Sequence, residues 1–361
     1  MIAVTGGGTG GHIFPNVAVI EELQECGVTN ICWIGDRRGK EIEWAHGLGV
    51  AFYGIRTGKL RRYFSLQNLA DTVNVLIGIA QSYRILKKSK PAVLFSKGGF
   101  VSVPPAIAAG LLHVPVITHE SDIHPGMATK IIAKRARAVC VSFEKAAASF
   151  EGKEVYYTGN PMRATIRSAN RERGKSFLHF TEDLPIVTVL GGSLGASSLN
   201  GAVFEMLEEV ELPFNLVHQC GRGHSRRFES GHGRYRQYEF IADEMGDVLA
   251  ASDLIISRAG AGALYEIGCL GLPSILIPLP RSKSRGEQID NANFFQENGA
   301  AQIIEDGQLS SRLLAEAVSD LLSDTNLLGE MGQKASKLCK RDAEREIADI
   351  LMRVGAQSPL G

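Results

Sequence analysis

The opening of this chain leaves it few folds to choose from. Ile2-Ala3-Val4 is a short apolar strand, and Gly6-Gly7-Gly8-Thr9-Gly10-Gly11-His12 is a loop dominated by glycine. Pro15 is placed to open an amphipathic helix, with Val17, Ile20 and Leu23 on one face and Glu21, Glu22 and Glu25 on the other. Strand, glycine loop and helix in succession aim bare backbone N–H groups and a helix N-terminus at one point, which favours a phosphate or pyrophosphate. A near copy follows in the second half: strand Ile186–Leu190, loop Gly191–Gly195 and helix Ser198–Val210. Two such devices in 361 residues imply two doubly wound domains.

The intervening pattern agrees. Short apolar strands alternate with helix-period segments, the mark of a parallel sheet covered on both faces. Expected strands include Asn30–Gly35, Ala92–Ser96, Val114–His119, Ala138–Ser142 and, later, Tyr238–Ile241; expected helices include Leu66–Lys88 and Pro104–Leu112. The polar stretch Arg167–Asp183 reads as the inter-domain crossing. The fold class expected is α/β, with two Rossmann-like parallel-sheet domains facing across a cleft. Domain one spans 1–160, completed by a terminal helix within 341–361, and domain two spans 161–340.

Composition excludes several classes. Lys plus Arg and Asp plus Glu number 39 each, so the formal net charge is zero and nucleic acid is not the expected partner. The six cysteines are scattered, with neither CxxC pairs nor His/Cys clusters at metal spacing, and most lie in apolar runs and read as reduced buried thiols. Neither a signal peptide nor an apolar run long enough to span a membrane is evident.

Several constellations can carry chemistry. Gly6-x-Gly8-x-x-Gly11, with Asp36 ending the second strand, fits a dinucleotide fingerprint literally. Against it stand His12 directly after the last glycine and the second glycine loop. Neither loop runs into Gly-Lys-Ser/Thr, so no P-loop is present. In the second loop, Gly191-Gly192-Ser193-Leu194-Gly195-Ala196, Ser193 and backbone N–H groups can take a diphosphate. Gly159-Asn160-Pro161-Met162-Arg163 offers a guanidinium fork to the same group. Arg258-Ala259-Gly260-Ala261-Gly262-Ala263-Leu264-Tyr265-Glu266 brings a carboxylate suited to a ribose diol, and Gln288 can bind sugar hydroxyls. Amide, carboxylate, small turns and one Arg suit a nucleotide-sugar better than a redox cofactor.

Taken in order, these motifs resemble the MurG family of GT-B glycosyltransferases. Gly8-Thr9-Gly10-Gly11-His12, Lys97-Gly98-Gly99-Phe100-Val101-Ser102, His119-Glu120-Ser121-Asp122, the Gly159, Gly191 and Arg258 motifs and Gln288-x-x-Asn291-Ala292 carry the likeness over nearly the whole chain. The resemblance implies transfer of GlcNAc from UDP-GlcNAc to lipid I, the undecaprenyl-pyrophosphoryl-MurNAc-pentapeptide, giving lipid II for peptidoglycan. It implies that Glu266 binds the ribose, Arg163 and Ser193 the diphosphate, the Ile241 backbone the uracil and Gln288 the sugar. Thr9, Gly10, Gly11, Asp122 and Ala263 would complete the donor contacts, while Gly8, Gly99 and Phe100 would face the acceptor's pyrophosphate. Asp122, Ala263 and Phe100 depart from the amide, Thr and Tyr common at these places.

An inverting displacement needs a base at the acceptor and stabilisation of the departing diphosphate. His12 is the expected base, kept neutral by its helix N-terminus, and His119-Glu120 is a second pair. With no Asp-x-Asp motif, metal dependence is not expected, and no cofactor is implied. A lipid-borne acceptor places the chain peripherally at the cytoplasmic face of an anionic membrane. Leu76, Ile77, Tyr83, Lys87 and Lys88 of the long helix, with Lys134, are the expected patch. Other cell-wall enzymes fit as partners. The rivals are another GT-B enzyme (a glycolipid glycosyltransferase or a UDP-GlcNAc 2-epimerase), an NAD or FAD oxidoreductase, and a non-catalytic nucleotide-sugar-binding module.

Overall fold

The computed structural model describes residues 1–58, 66–192, 195–209, 211–227 and 233–357, backbone alone for 66–70. Ser193 lies outside the described residues. The chain divides into two compact units, Met1–Arg163 with Arg341–Gly361, and Ala164–Lys340.

The first unit begins β1 (Ile2–Thr5), α1 (Gly10–Glu25), β2 (Ile31–Asp36), α2 (Glu41–Gly47) and β3 (Ala51–Ile55). It continues α3 (Leu66–Ser89), β4 (Val93–Ser96), α4 (Gly99–Leu111), β5 (Val116–Glu120), α5 (Met127–Ala133), β6 (Ala138–Val141) and β7 (Glu154–Tyr157). The strands form one parallel sheet in the order β3-β2-β1-β4-β5-β6-β7. Successive residues point to opposite faces, and both faces are apolar. Ile2, Val4, Trp33 and Phe95 enter one core with α1, while Ala3, Cys32, Ile34 and Leu94 enter another with α4.

The second unit runs α6 (Ala164–Arg167), α7 (Arg171–Leu178), β8 (Ile186–Leu190), α8 (Ser197–Glu209), β9 (Asn215–Gln219), β10 (Tyr235–Tyr238) and α9 (Met245–Ala251). Then come β11 (Leu254–Ser257), α10 (Ala261–Cys269), β12 (Ser274–Leu276), α11 (Glu287–Glu297), β13 (Ala301–Ile303), α12 (Ser311–Ser323) and α13 (Thr325–Lys337). Its parallel sheet has the order β10-β9-β8-β11-β12-β13. The last helix, α14 (Ala343–Ala356), returns to the first unit, where Ile347, Ala348, Ile350 and Leu351 join the core around Val17 and Ile20.

Each sheet reverses its strand order once, between β1 and β4 in the first unit and between β8 and β11 in the second. Ligands of open α/β sheets collect at the strand C-termini beside such a reversal. The loops that follow these four strands are the Gly6 loop, the Lys97 motif, the Gly191 loop and the Arg258 motif. Topology thus pairs the motifs that the sequence holds about 90 and 70 residues apart.

Local expectations shift in four places. Helix α1 starts at Gly10, so Pro15 sits inside it and His12 in its first turn. The bond Pro15 cannot donate would have gone to the carbonyl of Gly11, an exposed residue that water can serve. Helix α4 starts at Gly99 and contains Pro104 and Pro105, because burial of Val101 through Ala106 outweighs the lost bonds. The 167–183 stretch is no linker: Arg173 forks onto Asp247 at 2.7 and 2.8 Å and Arg171 meets Asp253 at 2.8 Å, docking α7 on its own unit. Gly174 lets α7 approach the Asp247 carbonyl, where a side chain would collide. Finally, β10 lies three residues earlier than expected, since the Ile241 N–H donates to the Gln219 side chain rather than to a ladder.

Candidate active site

In the first unit the glycine loop wraps around a carboxylate of its own chain. Glu41, fully buried at the start of α2, accepts from Gly8 N–H at 3.3 Å and from Asp36 N–H at 2.8 Å. A Cβ at Gly7 would collide with the same carboxylate. The Gly8 N–H, expected to face the acceptor pyrophosphate, is directed at this carboxylate. Asp36 is tied into its own turn, accepting from Arg38 N–H at 2.8 Å and from the Thr57 hydroxyl. The dinucleotide reading loses both the cradle and the ribose acid.

His12 sits one turn into α1. Its Nδ1 pairs with the Thr9 hydroxyl at 2.9 Å, and the Gly99 α-carbon lies so close to the ring that a Cβ would be 2.9 Å from Nε2. Gly98 and Gly99, at φ of 82° and 74°, provide that close approach in a conformation other residues rarely adopt. Burial first, then the charge of Lys97, pushes the His12 pKa down to about 4. The helix N-terminus foreseen from sequence thus has two stronger allies. Phe100 lies against Gly8, at 3.0 Å from where a Cβ would stand.

The second candidate pair separates. His119, fully buried, contacts Lys97 Nζ through Nδ1 at 2.9 Å and the Gly159 carbonyl through Nε2 at 2.8 Å. Glu120 accepts from the N–H groups of Ser121, Asp122 and Gly126 at 2.9, 3.0 and 3.1 Å. Both of its oxygens hold the loop that carries the half-buried Asp122. Arg163 ends the first unit, with its guanidinium 4.4 Å from the Phe14 ring of α1. Arg163, which the resemblance would place on the diphosphate, falls in the first compact unit.

In the second unit Gly191 N–H donates to the Gln219 carbonyl at 3.1 Å, and Gly192 and Gly195 adopt φ of 75° and 77°. A Cβ on Gly195 would stand 2.6 Å from the Cys220 carbonyl. Behind the loop, Asn200 bridges the Cys220 carbonyl at 2.8 Å and His218 Nε2 at 3.0 Å. Burial pushes the His218 pKa down to about 4. The Ile241 N–H donates to Gln219 Oε1 at 2.8 Å, so in this state it is not available to uracil.

Arg258 ties four chain segments together. It pairs with Asp306 at 2.7 Å, donates to the Ser198 hydroxyl at 2.7 Å and to the Ile277 carbonyl at 2.9 Å. The two charged side chains are 12% and 8% exposed. Burial raises the Asp306 pKa, but hydrogen bonds from Ser198 and Arg258 outweigh it and hold the carboxyl below its usual range. Glu266 and Ala263 are half-buried on α10, beside Gly260 and Gly262, which face open space. Gln288 at the start of α11 accepts from Leu279 N–H at 3.1 Å, so its oxygen holds the preceding loop.

On α3, Leu76 is 62% exposed, and Val73, Arg84, Lys87 and Lys88 are also exposed, while Ile77 and Tyr83 are half-buried. Lys134 is exposed beyond α5. Among the described residues no helix is long and apolar enough to cross a membrane.

Glu41, Gln219 and Asp306 were not singled out from sequence, and Lys97 stood in a motif without a role of its own. An isolated Lys or Glu carries no sign of burial until strands distant in the chain are neighbours.

The class follows from two family models: residues 2–141 match the glycosyltransferase family 28 N-terminal domain and residues 186–349 its C-terminal domain. A Lachnospira eligens protein described as UDP-N-acetylglucosamine--N-acetylmuramyl-(pentapeptide) pyrophosphoryl-undecaprenol N-acetylglucosamine transferase is 44% identical over 324 residues, covering 90% of this chain and 91% of that protein. Its namesake from Treponema pallidum is 44% identical over 362 residues, covering 97% and 94%. The crystal structure of Acinetobacter baumannii MurG matches with a TM-score of 0.76 at 28% identity, covering 98% and 99%. The chain belongs to the MurG family of glycosyltransferases.

Proposed function

We propose that the chain catalyses an inverting, metal-independent transfer in which His12 takes the proton from the C4 hydroxyl of the MurNAc unit as that oxygen attacks the anomeric carbon of GlcNAc. The chain is a UDP-GlcNAc-dependent hexosyltransferase of peptidoglycan synthesis, moving GlcNAc to lipid I to form lipid II, as its relatives' names and near-complete coverage support. The observation that carries the His12 role is its imidazole held between the Thr9 hydroxyl and the Gly99 backbone, with burial pushing its pKa down to about 4. With Nδ1–H donating to Thr9, Nε2 keeps a lone pair for the acceptor hydroxyl. UDP departs with its negative charge balanced by the backbone of the second glycine loop.

The second unit takes the donor, with Glu266 on the ribose and Gln288 on the sugar, and the first takes the acceptor. The exposed Val73 and Leu76 with Arg84, Lys87, Lys88 and Lys134 suit the cytoplasmic face of an anionic bilayer, where lipid I is presented.

The test is transfer of labelled GlcNAc from UDP-GlcNAc to a soluble lipid I analogue, with and without EDTA. Product with an inverted, β-configured linkage and an EDTA-insensitive rate is expected. Conversion of UDP-GlcNAc to its 2-epimer without transfer would instead assign the chain to that rival chemistry.

A further inference from the structure

Among the described residues Lys97 is the one buried lysine, 2% exposed at the end of β4. Its Nζ stands 2.9 Å from His119 Nδ1 and donates to the Ser121 hydroxyl. The chemistry of the next contact settles the tautomer. The Gly159 carbonyl can only accept, so His119 Nε2 carries the ring proton and Nδ1 is left as acceptor for Lys97. Ser121 in turn donates to Asn160 Oδ1 at 3.3 Å. One ammonium thereby ties the end of β4 to the end of β5 and to the turn that follows β7.

The backbone of the same residue reaches the glycine loop. Lys97 N–H donates to the Thr5 carbonyl at 2.9 Å, and its Cβ would be 3.1 Å from one on Gly6. The next two residues, Gly98 and Gly99, turn into α4, and Gly99 backs the His12 ring.

We propose that Lys97 is a positioning residue for His12: its buried ammonium locks the His119 tautomer, seats the Gly98-Gly99 turn behind the His12 ring, and sets a positive charge near the imidazole. This rests on the reading of His12 as the acceptor-side base.

The electrostatics agree with the geometry. The charged and titratable groups around the pair are His119 and Glu120 on β5, Asp122 in the next turn, Cys140 on β6 and Glu41 across the loop. Burial lowers the Lys97 pKa to about 8, with Glu120 and Asp122 opposing the shift, so the ammonium persists at neutral pH. Burial pushes the Cys140 thiol up to about 12, and it stays neutral. Burial is the larger influence that keeps a proton off His12, and Lys97 is the nearby charge that adds to it.

The experiment is an NMR titration of His12 in the full-length protein, wild type against Lys97→Met, with kcat measured across pH in the transfer assay. Removing the charge should raise the His12 midpoint by about half a unit or more. The acid limb of kcat should follow it, kcat should fall about tenfold, and KM for UDP-GlcNAc should hold within about twofold. Lys97→Arg, which keeps the charge, should restore the midpoint. Lys97→Gln carries the same titration if Lys97→Met does not fold. A midpoint that stays put, or one that moves while kcat does not, overturns the proposal. The titration needs no acceptor, so a wild type that fails to transfer GlcNAc counts against the function and leaves the Lys97 result readable.

Discussion

The two units reverse their strand order in the same way and place glycine-rich loops at the same point, yet they fill that point differently. In the first, the reversal gathers His12, His119 and Lys97, all held below their ordinary pKa, around a loop whose Gly8 N–H is taken by Glu41. In the second, the corresponding loops are tied by the Arg258–Asp306 pair and by neutral hydrogen bonds through Ser198, Asn200 and Gln219. Low proton affinity held in place by burial suits a site that must accept a proton only when substrate arrives. A cross-tied set of turns suits a site that must hold a polar carrier in one orientation. Shared topology sets where each site lies, and the side chains divide the chemistry between them.

The sharpest way to break that division is His12→Ala. Loss of a general base should lower kcat by about 10²–10⁴-fold while UDP-GlcNAc still stabilises the protein in a thermal-shift assay. Near-normal turnover would remove His12 from the chemistry. Next in size is Arg258→Met, which takes the nearest cation from Asp306 and leaves it Ser198 and the more distant Lys283. Unfolding titrations should show a loss of about 1–3 kcal/mol, partly recovered with UDP-GlcNAc present. A loss under about 1 kcal/mol would mean that the second site is not held by this pair.

The units should also differ at a membrane. Replacing Lys87, Lys88 and Lys134 together should weaken binding to anionic vesicles by about 1 kcal/mol per cation. Replacing Arg281, Lys283 and Arg285 of the second unit should leave it unchanged, and equal losses would erase the distinction. Smaller again is Gln219→Leu, which leaves Ile241 N–H unpaired and should cost about 1–2 kcal/mol of stability. If uracil takes that N–H, UDP should stabilise the variant more than the wild type.

Acid should report on both units through their histidines. His12 and His218 titrate at about 4 when folded and near 6.5 when unfolded, and His119 is also lowered. The unfolded chain therefore binds more protons below about pH 6.5, so stability is untouched above that value and declines as the pH falls toward 4. Thermal melts from pH 7.5 to 4.5 would show it. Activity should persist below the range where an ordinary histidine would already be protonated.

Much of this was legible in the residues alone. The two strand–glycine–helix devices announced the α/β class, and the motif order carried the family. The guanidinium of Arg163 was legible as a residue suited to phosphate, but not its place against Phe14 in the first unit, which depends on where the chain crosses between units. Pro15 and Pro104 suggested helix starts because proline suits a first turn. Apolar burial beginning earlier in each segment overrode that local preference. The polar 167–183 stretch read as a crossing because its partners, Asp247 and Asp253, lie more than 70 residues away.

Sequence alone determined which segments must be sheltered from water and where backbone must come bare, since periodicity and glycine are local properties of the chain. Only the tertiary structure decided which titratable groups lose their water and beside which charges. Desolvation and Coulomb interaction depend on distance through space, and β1, β4, β5 and β7 become neighbours in that sense only once the sheet has formed.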